Sequence, residues 1–124
     1  MIVADTDVLI DFLTGAEPGA DLVAGYLEEG ALWTTVVTSY ELLAGARTDD
    51  QLGTIRQLLN ALPALPLEEG SVEKAAGIHR ELAARGEAIG MADGLIAGIV
   101  LHRGAVLLTR NRKHFERVSE LRLI

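Results

Sequence analysis

Without a cysteine anywhere in its 124 residues, the chain can form no disulfide, no zinc–thiolate site and no thiol nucleophile, so any catalysis falls to oxygen and nitrogen groups. Long apolar runs are missing too. The longest, "MADGLIAGIVL" from Met91 to Leu101, is interrupted by Asp93 and falls short of the roughly 20 residues that span a bilayer. No basic, apolar leader precedes the first strand, so a cytoplasmic protein is expected. One Trp, two Tyr and two Phe are too few for an extended base-stacking platform, and Phe12, Tyr26 and Trp33 read as core. Neither a P-loop nor a dinucleotide glycine pattern occurs.

Positive charge is scarce overall, with a net charge of −7, but it is unevenly spread. From Arg103 onward six Lys or Arg stand against two Glu, so the tail carries +4 and the first 102 residues carry −11. A basic lip beside an acidic body suits a nucleic acid held near metal ions; it suits an acidic protein partner or a solvated helix face equally well.

The 49% hydrophobic and 23% charged residues are those of an ordinary globular chain, and the length suits one domain, residues 1–124, with its own core. "IVA", "ALWTT", "ALPL", "AVLLT" and "LRLI" read as strands, with Pro66 marking an edge position for the third. Between them lie helical patterns: Val8 to a stop at Thr14-Gly15, a face of Leu22, Val23, Tyr26 and Leu27, the segment "TSYELLAGA", and a face of Leu52, Ile55, Leu59 and Leu62 ended by Pro63. Further helices are expected from Ser71 to Arg85, around Met91 to Arg103 and, short and basic, from about Asn111 to Arg117. Strands alternating with helices predict an α/β fold with a mostly parallel central sheet of about five strands covered on both faces.

The acidic residues fall at strand ends and helix starts. Asp5 closes the first strand, Glu41 is placed in the first turn of the third helix, Asp93 opens an apolar helix, and Asn111 lies just past "AVLLT". In a parallel sheet such positions can converge on one edge. Carboxylates brought together repel one another unless a cation offsets them, and Mg²⁺ or Mn²⁺ is the cation that suits oxygen donors beside a phosphate. Each residue also has a plainer explanation. Asp5 or Asp7 can cap the following helix, and Glu41 can complete a capping box with Thr38. Asp93 is harder to dismiss, because a charge among Met91, Ala92, Leu95, Ile96 and Ile99 is costly unless paired, coordinated or wet. Asp11, one turn after Asp7, reads as a helix-surface residue.

"DTDVLIDFL", "TSYELLAGA", "GMADGLIAGIVLHRGAVLLTRNRKHF" and the terminal "LRLI" together resemble a PIN-domain ribonuclease of the VapC type, the toxin of bacterial toxin–antitoxin pairs. The matches occur in family order over essentially the whole chain. The resemblance implies a three-layer PIN-like fold and a Mg²⁺- or Mn²⁺-dependent endoribonuclease. Asp5, Glu41 and Asp93 would be its metal-binding acidic residues, with Asn111 at the fourth corner. It also implies an RNA substrate, a cognate antitoxin that occludes the site, and a homodimer. Thr6, Thr109, Arg110, Arg112 and Lys113 stand as substrate-binding candidates. Many relatives carry Asp where this chain has Asn111, which bears on a second metal ion, and Asn or Ser where it has Asp7. A catalytically weak binding protein is the alternative.

Two other classes fit less well. "DTD" after a first strand is also the start of haloacid-dehalogenase phosphatases, but Leu9 replaces the expected Thr or Val and no late acidic pair follows. A receiver domain would end its third strand on a phosphoacceptor, where "ALPLEEG" offers only glutamates. His79, His102 and His114 are placed for packing or helix-end roles rather than as an acid–base pair.

Overall fold

Ile2–Ala4 form β1, as the β-branched opening dictates, and β2 (Leu32–Thr35), β3 (Ala64–Leu65), β4 (Val106–Leu108) and β5 (Arg122–Leu123) complete one sheet. The computed structural model, which describes residues 1–124, orders these strands β3-β2-β1-β4-β5. Every adjacent pair is parallel. The central strand β1 sets Ile2 against Leu32 on one side and Val106 on the other. Pro66 follows the edge strand β3, where its missing N–H interrupts no ladder.

Seven helices connect or flank the strands: α1 (Thr6–Thr14), α2 (Gly19–Glu28), α3 (Val36–Gly45), α4 (Asp49–Ala61), α5 (Glu69–Ala84), α6 (Met91–His102) and α7 (Arg112–Phe115). Because successive strand residues point to opposite faces, Val3 and Leu107 join one core with Ile78 and Leu82 of α5 and Ile96, Ile99 and Val100 of α6. Their neighbours Ala4 and Leu108 join the other, with Val8 and Leu9 of α1, Val23 of α2, Leu42 of α3 and Ile55 and Leu58 of α4. The result is the three-layer architecture expected for continuous apolar strands buried on both sides.

Local chemistry sets the helix ends that matter for the site. Asp5, in extended conformation, caps α1 and accepts the Thr6 N–H at 2.8 Å; Gly15 ends the helix at φ 76°, a left-handed conformation that glycine tolerates. The start of α3 differs from the expected Thr38–Glu41 capping box. Thr35 is the cap and accepts the Thr38 N–H at 3.1 Å, so Thr38 lies in the first turn and Glu41 in the second. The last residue of a buried strand can itself cap the next helix, and that shifts the start three residues upstream.

The order of strands fixes where a crevice opens. The path from β1 to β2 runs through α1 and α2 on one face, whereas the path from β3 to β4 runs through α5 and α6 on the other. The carboxyl ends of β1 and β4 therefore lie at a switch point, where chains leave in opposite directions.

Candidate active site

Four elements deliver side chains to that switch point. Asp5 follows β1 directly, Thr109, Arg110 and Asn111 follow β4, Glu41 comes from the second turn of α3, and Asp93 from the first turn of α6. With Thr6, Asp7 and Ile10 of α1, the residues Asp5, Glu41, Asp93, Arg110 and Asn111 line one cleft of about 400 Å³. A larger hollow of about 540 Å³, with Lys74, Arg80, Glu81 and Arg117 in its wall, shares no residue with it.

Hydrogen bonds hold the acidic groups in place. The Thr6 hydroxyl donates to Glu41 Oε1 at 2.6 Å, and the Thr109 hydroxyl donates to Asp5 Oδ2 at 2.7 Å. Asn111 donates its side-chain amide to Asp93 Oδ2 at 3.2 Å and faces His114 Nδ1 at 3.0 Å. Asp7 accepts the Arg110 backbone N–H at 3.2 Å, closing the loop after β4 over the first turn of α1. These contacts join β1, α1, α3, α6 and the β4–α7 loop into one polar network.

Asp5 is buried, and burial pushes its carboxyl pKa up to about 7, with further upward pressure from the charges of Asp7 and then Asp93. Hydrogen bonds from Thr109 and the Thr6 backbone act in the opposite sense. A carboxylate so placed takes up either a proton or a cation at neutral pH. The donor set is entirely oxygen, which suits a hard divalent ion. No three of the His, Asp and Glu side chains stand close enough to grip an ion at once, so the acidic groups form a lined cleft and not a closed cage.

A family model for the PIN domain matches residues 2–121, nearly the whole chain. The chain belongs to the PIN-domain family. Among its relatives is the tRNA(fMet)-specific endonuclease VapC of Shigella flexneri, 30% identical over 122 residues that cover 95% of this chain and 92% of that protein. Ribonuclease VapC10 of Mycobacterium tuberculosis is 31% identical over 122 residues, covering 98% and 91%. Among solved structures, DNA-bound VapBC from Salmonella typhimurium superposes with a TM-score of 0.87 at 23% identity, covering 99% of this chain and 96% of that one. Within the PIN-domain family the chain is thus of the VapC type.

Of the residues singled out from the sequence, Asp5, Thr6, Glu41, Asp93, Arg110 and Asn111 line this PIN-domain cleft. Thr109 touches it through Asp5. Arg112 and Lys113 are exposed on α7, outside the cleft lining, with Arg112 3.5 Å from Glu116. Asp11 is not the surface residue its sequence position suggests: it is buried, and its Oδ2 accepts the Arg110 Nε–H at 2.6 Å. Its spacing four residues after Asp7 carries the missed signal, because i and i+4 share a helix face and Asp7 already faces the β4–α7 loop. His114, expected in a packing or helix-end role, reaches Asp93 at 3.5 Å, and its i+3 spacing from Asn111 is the cue.

Proposed function

We propose that this PIN-domain protein is the toxin of a toxin–antitoxin pair, an endoribonuclease that hydrolyses RNA phosphodiester bonds with the help of Mg²⁺ or Mn²⁺. The observation that carries this reading is the meeting of Asp5, Glu41 and Asp93, from three distant parts of the chain, in one cleft with Arg110 and Asn111. The names of the VapC relatives support the ribonuclease class.

Asp5, Glu41 and Asp93 are the residues that would hold the ion, directly or through waters, as Mg²⁺ keeps several waters and takes only one or two carboxylates. When bound, a divalent ion supplies Lewis-acid polarisation of the phosphate and activation of a water. The chain's own groups do the rest. Thr109 fixes the Asp5 carboxylate and Thr6 fixes Glu41, so neither must reorient as the substrate arrives. Asn111 contributes an uncharged amide at the fourth corner and orients Asp93. Arg110 on the rim, with Arg112 and Lys113 on α7, offers positive charge to phosphates flanking the scissile bond.

The expected partners are RNA, a cognate antitoxin and a second copy of the chain. The VapBC neighbour in Salmonella typhimurium supports the antitoxin. An apolar groove of about 450 Å³ between α5 and α6, bordered by the exposed side chains of Val72 and Met91, supports the homodimer, which light scattering of the purified chain would test. No helix is long and apolar enough to cross a membrane.

Purified protein freed of antitoxin should cleave total RNA with Mg²⁺ or Mn²⁺ and stop on addition of chelator. Asp5→Asn and Asp93→Asn should each abolish cleavage while circular dichroism shows the fold retained. Cutting by both variants at the parental rate would overturn the reading. A catalytically weak, partner-binding chain is the second reading, favoured by the amide at Asn111; antitoxin binding without metal-stimulated cleavage would establish it.

A further inference from the structure

Asp11 and Arg110 form the shortest ion pair in the protein, 2.6 Å from Nε to Oδ2, yet the two side chains differ sharply in exposure, 8% for Asp11 and 54% for Arg110. Gly19, at the start of α2, packs so closely on Asp11 that a Cβ there would overlap its carboxylate. A carboxylate buried this way is costly unless paired, so the pair locks the Nε edge of Arg110 against α1. The backbone N–H of Arg110 is held as well, by Asp7 at 3.2 Å. The two terminal guanidinium nitrogens make no hydrogen bond within the chain, and the residue forms part of the rim of the carboxylate-lined cleft.

We infer that Asp11 is a positioning residue that holds Arg110 as a preformed fork for one phosphate of an RNA strand lying across the cleft. This rests on the RNA reading of the site. A polyanion approaching Asp5, Asp7, Glu41 and Asp93 meets repulsion, and a guanidinium tethered at one edge answers it without the ordering cost a free arginine incurs on binding. The planar fork matches a phosphate in two-point fashion, and lysine cannot reproduce that while also contacting Asp11. Gly19 belongs to the same device, since it leaves the room in which the Asp11 carboxylate sits.

The sign of one measurement separates this from simple electrostatics. Removing a carboxylate near a polyanion strengthens binding by charge alone, whereas removing a positioning residue weakens it. A labelled single-stranded RNA is titrated by fluorescence anisotropy against the full chain in chelator and again with Ca²⁺, with thermal melting confirming that each variant folds. Asp11→Ala should weaken binding about two- to tenfold, the range set by ordering one long side chain, and leave the salt slope unchanged. Arg110→Ala should weaken it at least as much and reduce the slope of log affinity against log salt by about 0.7, one phosphate contact on a single strand. Gly19→Ala, which changes no charge, should weaken binding in the same direction, and Asp11→Ala should have no weakening effect in the Arg110→Ala background. Binding by Asp11→Ala as tight as or tighter than the parent's would overturn the inference, as would an equal loss in both backgrounds. A parent chain that binds no RNA in either condition would overturn the RNA reading itself and this inference with it.

Discussion

The Thr109 hydroxyl donates to Asp5 Oδ2 at 2.7 Å while accepting the Asn111 backbone N–H at 2.9 Å, so one side chain ties the end of β4 to the carboxylate after β1. Its single proton is committed to Asp5, and the same bond favours the ionised form of that buried acid. The two residues are 104 positions apart in sequence. The parallel pairing of β1 with β4 is what brings them together, with Ala4 opposite Leu108 one residue before each.

Thr109→Val keeps the shape of the side chain and removes the donor. Losing a hydrogen bond to a charged group costs on the order of 2 kcal/mol, so kcat/KM for RNA cleavage should fall about 10- to 100-fold. Thr109→Ser should retain most of the activity. Initial rates on one defined RNA check both variants, and a valine variant as fast as the parent would show that the hydroxyl does not hold Asp5 in the reacting geometry.

Stability without metal should fall as pH rises. The Asp5 carboxyl has a pKa of about 7 in the folded chain against 3.8 as its ordinary value, so between these values the folded state holds a proton that the unfolded state has released. The resulting penalty is absent below the ordinary pKa, grows through the window and is complete above about pH 7, where it amounts to roughly 4 kcal/mol. Asp5→Asn removes the ionisable group. In chelator its Tm above pH 7 should exceed the parent's by roughly 15 °C, and the gap should close as pH falls towards 4. Scanning calorimetry of both proteins across that range decides it; a Tm gap between Asp5→Asn and the parent that does not widen from pH 4 to 8 would mean that Asp5 ionises in the folded chain as readily as in the unfolded one.

Much of this architecture was legible in the sequence because it rests on local signals. The apolar strands, the Gly15 stop and the burdened charge of Asp93 in an apolar helix each announce themselves within a few residues. What was not legible depends on contacts between distant segments. The cap of α3 is a strand residue, Thr35, and nothing in "TTVVTS" ranks it above Thr38. Asp11 is spelled like any helix-surface acid, and only the approach of Arg110 and Gly19 makes it a buried one. The order β3-β2-β1-β4-β5, which creates the cleft, likewise follows from chain crossings that the PIN-domain resemblance implies and no short stretch encodes.

Asn111 brings an uncharged amide to the carboxylate-lined cleft. Its amide donates to Asp93 Oδ2 at 3.2 Å, so Asn111→Asp replaces an attraction by a repulsion between two carboxylates. In chelator the variant should melt a few degrees below the parent. With an ion available the added charge should instead act in favour of binding, and Mn²⁺ affinity measured by titration calorimetry should rise about tenfold or more. Weaker Mn²⁺ binding by the variant would show that the Asn111 side chain does not face the ion site.

Close packing at Gly98 fixes how α6 carries Asp93. At Gly98 an added Cβ would lie 2.5 Å from the Ser71 carbonyl oxygen and 2.8 Å from the Ala75 Cβ, so α5 and α6 cross at backbone contact. Neither the Ser71 carbonyl nor the start of the Ala75 side chain can swing aside. Gly98→Ala must therefore push the helices apart, and overpacking of this kind costs about 1–3 kcal/mol even though alanine favours the helix itself. Gly94, one turn earlier on α6, has open space where its Cβ would go, so Gly94→Ala should be neutral or slightly stabilising. Urea unfolding of the two variants tests the contrast. Because Asp93 sits five residues before Gly98 on α6, a displaced α6 should also lower cleavage more than its loss of stability alone explains.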